Sequence, residues 1–420
     1  MEPSRSTLYR TFLLCVIVVL ALLGVALRLP AFLALAVAWI GLLAVSWILA
    51  QRSLLGITAR RELYPSAFEG DEVPVEIAVR GERGARMIEV VDEFGPSITV
   101  EQRMLEPGPL EPGLERRLKY VSYCSRQWGT HHVGPIRIVS SDPAGLFHAA
   151  TSLPVVDEFA VFPQVYDVAG LSELGACSTL IPHESSAGRS GQSLIPMGVR
   201  EYRAGDDLRR VHWPATARRG ALMVKEVEVD LAPYFTVILD LDRRHRAGMG
   251  RKSTLEYVLR TAASLIWSAT RSGGFVQVAG MGVAPFHVPP GRGENHLTFA
   301  LYELIRANLD GTTPLEEVVL QTLPQVPPSS TVVIVSGTLF LDLAASGGLI
   351  EAFRSRGVRV AMLLVNNFSF PAISGWPPPR AEIVEKGREL MFFLRSRGVP
   401  VRILEESDDL AAALGGGWSP

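Results

Sequence analysis

Two long uncharged apolar runs near the start of the chain restrict its fold more than any other feature. Residues 11–27 read TFLLCVIVVLALLGVAL and residues 31–50 read AFLALAVAWIGLLAVSWILA, with only a short connection between them. A transmembrane helix needs about 20 predominantly apolar residues, so each run is long enough, or nearly so, to cross a bilayer. Because backbone groups in lipid must be satisfied within the helices, a connection this short forces the two helices to run antiparallel. We therefore expect a transmembrane hairpin within residues 1–52.

The distribution of arginine indicates how this hairpin is oriented. Arginines flank the two runs on the side of the chain ends: Arg5, Arg10, Arg52, Arg60 and Arg61. The connection holds only Arg28. Because positive residues accumulate on the cytoplasmic side, we expect a multi-pass protein of the cell inner membrane with both termini in the cytoplasm. A cleaved signal peptide is the alternative, and it is disfavoured because a second apolar run follows the first, where a polar mature start would be expected.

Charge and cysteine content narrow the classes of partner and compartment. The 420 residues carry 41 Lys+Arg and 43 Asp+Glu, so the chain has no overall basic field that would hold nucleic acid. We expect no nucleic-acid partner. Cys15 lies in the first apolar run, which leaves Cys124 and Cys177 as the only possible pair in the polar part. Such sparse cysteine use is typical of a reducing compartment.

Two kinds of periodicity divide the remaining chain. Residues 58–163 contain short runs that alternate with period two between Gly, Pro and Asp clusters, which predicts an Ig-like β-sandwich. Residues 164–232 hold a long irregular connection, up to residue 198, and then a dense polar segment. From residue 233 to 420, buried-strand runs alternate with helical segments, which predicts a doubly wound α/β domain with a parallel sheet.

Two serines of this last domain have the sequence context of helix N-caps. Ser253 is followed three residues later by Glu256, the pattern of a capping box. Ser407 precedes two aspartates and predicts the start of a last helix.

The densest polar constellation is GVREYRAGDDLRRVHWPATARRGALMVKE, at residues 198–226, which we call the signature segment. Its candidate functional residues are Arg200, Tyr202, Gly205, Asp206, Asp207, Arg209, His212, Trp213, Ala217 and Arg218. As an active site, the adjacent aspartates could bind a metal while the histidine serves as a base and the arginines hold phosphate.

A structural interpretation of the same segment is favoured. An Asp-Asp pair followed closely by a histidine lacks the spacing of known metal or triad motifs. In this interpretation the Gly205-Asp206-Asp207 sequence makes a turn, Trp213 fills a core, and the charges pair across a domain junction. We therefore expect a Trp213→Ala substitution to destabilise the fold.

A second candidate site lies at the carboxyl end of the first α/β strand, where ligands bind in open doubly wound sheets. Asp240 and Asp242 occupy alternate positions there and could approach one hard cation such as Mg²⁺. Thr312 and Ser336 follow later elements and could add oxygen ligands. The neighbouring Thr313 precedes a proline and is better interpreted as a helix N-cap.

The signature segment resembles that of the bacterial and archaeal family called domain of unknown function 58. The stretch RQWGTHHVGPIRIVSSDPAGLF and the two leading apolar runs resemble the same family. This resemblance implies a C-terminal domain similar to von Willebrand factor A domains, whose metal site uses an Asp-x-Ser-x-Ser strand end, a downstream Thr and a later Asp. Asp240 matches the first position, whereas Asp242 and Arg244 replace the two serines and Ser336 stands where a carboxylate belongs. The implied metal site is degenerate, so we expect no cofactor.

The resemblance also implies partnership with MoxR-type AAA+ ATPases in a chaperone-like or cell-envelope system. We therefore expect a membrane-anchored interaction or adaptor protein that binds the bilayer through its hairpin and is not an enzyme. The alternative is a metal-dependent enzyme acting at the membrane surface. It would use either the Asp206, Asp207 and His212 group or the Asp240–Asp242 pair.

Overall fold

The computed structural model describes residues 5–94, 104–124, 128–142, 145–171, 174, 194–203, 208, 211–229, 232–371 and 380–418. The chain divides into two compact units, Met1–Gln164 and Val165–Pro420. Each unit is built around its own sheets.

The first unit begins with two helices, α1 (Arg5–Ala26) and α2 (Pro30–Ser53). Both are long and apolar enough to cross a bilayer, with mean hydropathies of 2.3 over Tyr9–Ala26 and 2.4 over Pro30–Ser53. This confirms the two expected apolar helices: α1 begins before the predicted run 11–27 and ends one residue short of it, and α2 extends beyond 31–50 at both ends. Pro30 at the first turn of α2 fits the rule that proline is tolerated where no backbone donor is needed.

Most side chains of the two helices face outward. The buried positions of α2 are small residues, Ala36, Ser46 and Ala50, which allow close helix packing. Large apolar side chains point outward, and Phe12 and Val37 are 66% and 68% exposed. Such a continuous apolar surface is unfavourable in water and suits a lipid environment.

Four residues after the end of α2, the chain enters a β-sandwich. Within the described residues its strands are β1 (Ile57–Leu63), β2 (Ser66–Phe68), β3 (Glu72–Gly81), β4 (Ala85–Phe94), β5 (Met104–Leu110), β6 (Glu115–Tyr123), β7 (Gly129–Ser141), β8 (His148–Leu153) and β9 (Asp157–Phe162). One sheet has the order β1-β3-β6 and the other β2-β9-β7-β4-β5, with β8 paired to β7. Alternate residues of both sheets, such as Val75, Ile77, Ile88 and Ile136, form a single core between them.

The sandwich core contains a charged network that the sequence analysis missed. The Arg61 side chain is fully buried and donates to both carboxylate oxygens of Asp92, from Nε at 3.0 Å and from Nη2. Its Nη1 also donates to Asp157 Oδ2 at 2.6 Å and to the Val133 carbonyl at 3.0 Å. Tyr120 donates its hydroxyl to Asp92 Oδ2 at 2.5 Å. The buried charge is therefore paired and hydrogen-bonded, as a low-dielectric interior requires.

The second unit is built on one six-stranded sheet. Its strands are β12 (Tyr234–Leu239), β15 (Phe275–Met281), β16 (Pro285–Gly291), β17 (Thr331–Ser336), β18 (Arg359–Val365) and β19 (Val401–Leu404). The order is β16-β15-β12-β17-β18-β19, and every strand is parallel to its neighbour except the antiparallel edge strand β16. The predicted alternation of buried strands and helices is present in this unit, and the sheet is mixed because β16 runs antiparallel to its neighbour.

Helices cover both faces of this sheet. They are α4 (Thr254–Arg271), α5 (Glu294–Leu304), α6 (Leu315–Thr322), α7 (Leu343–Ser355), α8 (Arg380–Ser396) and α9 (Leu410–Gly415). Helix α4 is buried along most of its length, and α6, α7 and α8 contribute to a core on the other face that includes Ile334, Phe353 and Leu390. Two-sided coverage explains why β17 is buried at all six positions.

The helix caps match the sequence in part. Ser253 Oγ accepts from Glu256 N at 3.3 Å and begins α4 as predicted. The prediction of Ser407 as a cap was wrong, because the cap of α9 is Asp409, whose carboxylate accepts from Ala411 N. The prediction of Thr313 as a cap was also wrong, because the N-cap position of α6 is Pro314 and no side chain caps this helix.

Two shorter elements precede the sheet in the chain. Strands β10 (Leu194–Glu201) and β11 (Met223–Val229) pair antiparallel, and helix α3 (Trp213–Arg219) lies between them. Part of the expected irregular connection is ordered against the second unit, because Tyr166 N and Val168 N donate to Ser264 Oγ and Ser268 Oγ of α4. A short ribbon of β13 (Gly248–Met249) and β14 (Lys252–Ser253) leads into α4.

Candidate functional site

The site lies where the direction of strand order reverses. The chain passes from β12 outward to β15 and β16, and then returns to place β17 on the other side of β12. In open α/β sheets this switch leaves a crevice at the carboxyl ends of the two central strands, which is where ligands bind. Asp240 directly follows β12, and Ser336 ends β17.

Asp240 is buried and occupied by partners within the fold. Its side chain accepts a hydrogen bond from Ser336 Oγ at 2.5 Å and another from Asp242 N at 3.2 Å. His245 Nδ1 lies 2.9 Å from Asp240 Oδ2. The ring is not aligned for a hydrogen bond, so this contact becomes an ion pair only when the imidazole is protonated. The structure thus brings together Asp240 and Ser336, as the sequence analysis expected, and adds His245.

Asp242 is fully buried and is neutralised by the arginine two residues later. Arg244 donates to Asp242 Oδ2 from Nε at 2.8 Å and from Nη2 at 2.5 Å, and its backbone N–H donates to Oδ1 at 2.8 Å. A short bridge between Asp242 and Gly311 joins this turn to the loop before α6. The Arg244 side chain itself is 66% exposed.

The pKa of Asp242 reflects this pairing. Burial alone would raise it, because a charged carboxylate is poorly solvated in the interior. The hydrogen bonds from Arg244, together with the nearby His245, outweigh burial and hold the Asp242 pKa below its ordinary value. Asp242 is therefore ionised at neutral pH and is committed to Arg244.

These residues do not fit a resident divalent cation. A hard cation would need the Asp242 oxygens that Arg244 now occupies, and the guanidinium would repel it. Thr312 is exposed beside Gly311 and makes no hydrogen bond to the aspartates. Among the residues that the structure describes, no group of three His, Cys, Asp or Glu side chains could hold a metal ion. The arrangement holds the two aspartates between the cationic Arg244 and the imidazole of His245.

The signature segment is not packed as the sequence analysis expected. Trp213 is 68% exposed, so the prediction that it fills a core was wrong. It begins α3, a seven-residue helix in which no residue is buried. Leu208 and Leu222 of the same segment are 63% and 43% exposed.

His212 caps the start of α3. Its Nδ1 accepts a hydrogen bond from Ala215 N at 3.1 Å. Arg200 donates to the Glu201 carbonyl, and Tyr202 N donates to the Leu222 carbonyl. Ala217 and Arg218 are exposed on α3. The remaining candidate residues, Gly205, Asp206, Asp207 and Arg209, lie outside the described residues.

His245 and the Arg61 network are the charged groups that sequence reasoning missed. His245 follows the Asp240–Asp242 pair closely. It lies between arginines in the sequence, and no motif marked it as a partner of Asp240. The alternation of β1 puts Arg61 on the same face as Ile57, and the alternation of β4 puts Asp92 on the same face as Val90. A positive and a negative side chain on the inward faces of two strands were the sequence signal that could have predicted this buried ion pair.

Comparison with solved structures found likenesses of low similarity, each covering about a quarter of this chain. The CARDB domain of the PF1109 protein from Pyrococcus furiosus, solved with di-metal ions, is 13% identical with a TM-score of 0.18 and covers 25% of this chain and 86% of its own. The C-terminal domain of wzt is 12% identical with a TM-score of 0.20, covering 26% and 75%.

Comparison with known sequences found a relative and a family. "Uncharacterized protein YeaD" of Bacillus subtilis (strain 168) is 26% identical over 232 residues, which is 52% of this chain and 54% of the relative. The alignment thus spans about half the length of the curated relative. Residues 198–367, which include the whole signature segment and the strands β12, β15, β16, β17 and β18, match the family described as "Protein of unknown function DUF58".

Proposed function

We propose that this chain is a membrane-anchored interaction protein, without catalysis of its own, that presents its sandwich and its α/β unit to protein partners. The hairpin α1–α2 would lie in the inner membrane, with both termini in the cytoplasm. The observation that carries the proposal is the exposure of Trp213, Leu208 and Leu222 within the signature segment. Clustered exposed apolar residues beside charged ones are typical of surfaces that bind other proteins.

A partner of the MoxR-type AAA+ ATPase class is part of this proposal. It rests on the resemblance of the signature segment, and the match of residues 198–367 to the DUF58 family supports it. The α/β unit would then be similar to a von Willebrand factor A domain. Its central strand β12 and the antiparallel edge strand β16 agree with that likeness.

The test is co-purification of the full chain with a MoxR-type ATPase of the same cell. The detergent-solubilised chain carries an affinity tag, and bound proteins are quantified by mass spectrometry with ATP and magnesium present. We expect the ATPase to be enriched with the wild-type chain and to fall several-fold with Trp213→Ala. The exposed Phe392→Ala on α8 is the matched control. Absence of the ATPase from the wild-type sample contradicts the proposed partner.

A metal-dependent enzyme is the second candidate, and the contact between His245 and Asp240 favours it. A histidine beside a buried carboxylate is an arrangement that general bases use. Titration of the full chain with Mg²⁺ by calorimetry separates the two candidates. The interaction proposal predicts no heat of binding for the wild-type chain. Saturable binding that Asp240→Asn abolishes would favour the enzyme, and Arg244→Ser, which frees Asp242, is the positive control.

A further inference from the structure

A run of cations at the carboxyl edge of the α/β sheet is not accounted for by the contacts of the candidate site. Residues 243–252 read RRHRAGMGRK, with five arginines or lysines and no acidic residue, and we call them the basic hairpin. Arg244 pairs with Asp242, and Lys252 pairs with Glu406 at 2.6 Å. Arg243 and Arg246 are exposed, and neither forms an ion pair with any residue in the described part of the chain. Stability of the fold does not explain these two arginines.

The backbone of the basic hairpin is held in one conformation. Gly248 pairs with Ser253, and a Cβ atom at Gly248 would lie 2.0 Å from the Lys252 carbonyl, so the turn closes only around glycine. Gly248 N donates to the Pro371 carbonyl at 2.8 Å, and Thr254 N donates to the Ala247 carbonyl at 2.9 Å. A rigid hairpin loses little conformational entropy when it binds a partner.

Apolar side chains are exposed next to these cations. Met249, in the middle of the basic hairpin, is 83% exposed, and Val283 in the β15–β16 turn is 81% exposed. The two turns belong to the same edge, because Asp310 Oδ1 accepts from Val283 N and the adjacent Gly311 carbonyl accepts from Arg243 N. Methionine adapts its shape to different partners. The surface therefore offers cationic and apolar contacts together.

We propose that the basic hairpin binds an acidic segment of a protein partner, in which carboxylates lie beside apolar side chains. The inference rests on the proposed interaction function and names the surface and the chemistry of the partner. Arg243 and Arg246 supply the uncompensated positive charge, and Arg244, held by Asp242, presents a fixed guanidinium that suits directional contacts with carboxylates. Met249 and Val283 contact the apolar side chains of the same segment. An anionic membrane surface would use the charges alone, and it is tested as a separate outcome.

The first experiment measures peptide binding to the full chain in nanodiscs of neutral phosphatidylcholine. The probe is a fluorescein-labelled peptide of alternating Glu and Leu, and the same peptide with Lys in place of Glu is its control. We expect the acidic peptide to bind and Arg243→Glu/Arg246→Glu to weaken it by at least about tenfold at low salt, because each substitution replaces an attraction with a repulsion. Arg388→Glu, at an exposed position on α8, should leave the affinity unchanged.

Several outcomes would overturn the inference. These are absence of binding by the acidic peptide, equal binding by the lysine peptide, or equal affinity in Arg243→Glu/Arg246→Glu and the wild-type chain. Binding of phosphatidylglycerol vesicles that depends on Arg243 and Arg246, without competition by the acidic peptide, would assign the surface to lipid and likewise overturn it. Capture of the ATPase separates failure of this inference from failure of the proposed function. If Arg243→Glu/Arg246→Glu still captures the ATPase fully, the basic hairpin is not the docking surface and the proposed function stands.

Discussion

Arg61 and Asp92 lie inside the sandwich, where an unpaired charge would be strongly unfavourable. Substituting Arg61 by Met leaves Asp92, which is 3% exposed, without its cation. We expect Arg61→Met to destabilise the sandwich by about 3 to 5 kcal/mol. The matched Arg60→Met changes a surface side chain that is 66% exposed, and should change stability by less than about 1 kcal/mol.

Urea unfolding of the full chain, followed by hydrogen exchange in peptides of β1 and β4, measures the difference. Protection retained in Arg61→Met to the same degree as in Arg60→Met would show that the buried pair is not needed for the sandwich.

Asp242 gives the α/β unit a pH dependence whose sign follows from its lowered pKa. A carboxylate with a lowered pKa stabilises the fold above the pKa of an unfolded aspartate, about 3.9, and loses this contribution as the pH falls through its folded value. Asp242→Asn should therefore be less stable than the wild-type chain at neutral pH, by about 1 to 3 kcal/mol. The stability difference between the wild-type chain and Asp242→Asn should shrink as the pH falls below the ordinary pKa of an aspartate. Melting curves across pH, with the exposed Glu385→Gln as control, check this, and a difference that grows in acid would refute it.

Trp213 is a case in which exposure reverses the expectation from sequence. Because its side chain is 68% exposed, we expect Trp213→Ala to change stability by less than about 1 kcal/mol. Phe353→Ala, at a site that is 1% exposed, should cost about 3 to 5 kcal/mol. Denaturant unfolding of both variants tests the contrast, and a large loss in Trp213→Ala would return this residue to a core.

The residue pattern predicted which side chains lie at the candidate site better than it predicted whether a side chain is buried, exposed or paired. Asp240 and Ser336 were predicted as possible oxygen ligands of one cation because both end parallel strands at one edge of a sheet, and in the structure Ser336 donates a hydrogen bond to Asp240. The exposure of Trp213 could not be derived, since an aromatic residue in a polar run is equally compatible with a core and a surface. The same holds for Arg244, whose pairing with Asp242 depends on the turn that follows β12.

At the scale of elements, the pentapeptide Arg-Ser-Arg-Gly-Val occurs twice, at 354–358 and 395–399. Each copy ends a helix, α7 or α8, with the same pair of hydrogen bonds, in which the valine N–H reaches the carbonyl five residues back. Gly398 has φ +59° and open space around its Cα. The glycine is therefore needed for its backbone conformation alone.

Gly398→Ala should accordingly cost about 1 kcal/mol, because an L side chain is strained in the left-handed region. Gly348→Ala, in the middle of α7 and also with open space around it, should instead stabilise by about 0.5 to 1 kcal/mol. Thermal melting of the two variants should shift in opposite directions, and shifts of the same sign would contradict the assignment of these conformations.

Most elements were predictable because their periodicity is strong, and the exceptions have physical causes. Strand β16 reads PFHVPPG, and its prolines argue against a strand in a sheet interior. It is tolerated because it is the edge strand, where one side of the backbone needs no partner. The shift of the last cap from Ser407 to Asp409 reflects competition between neighbouring residues that can all accept a backbone hydrogen bond.

At the scale of the whole molecule, the proposed membrane-anchored function depends on the hairpin of α1 and α2. Their length and apolar composition were evident from the sequence, and the structure adds that the buried positions of α2 are small residues and that large apolar side chains such as Phe12 are exposed. The short segment from Ser53 to β1 leads directly into the sandwich, where Ser53 Oγ lies 2.7 Å from Ser140 Oγ of β7. The sandwich is therefore held next to one end of α2, which would be the membrane surface in the proposed topology.

Topology is the most direct test of the central claim that the hairpin anchors all later residues on the cytoplasmic side. Epitope tags are placed before Met1 and after Pro420 of the full chain, and protease is added to spheroplasts and to inside-out vesicles. We predict that both tags survive in spheroplasts and are both digested in inside-out vesicles, because two antiparallel spans return the chain to its starting side. Digestion of the C-terminal tag in intact spheroplasts would contradict the account.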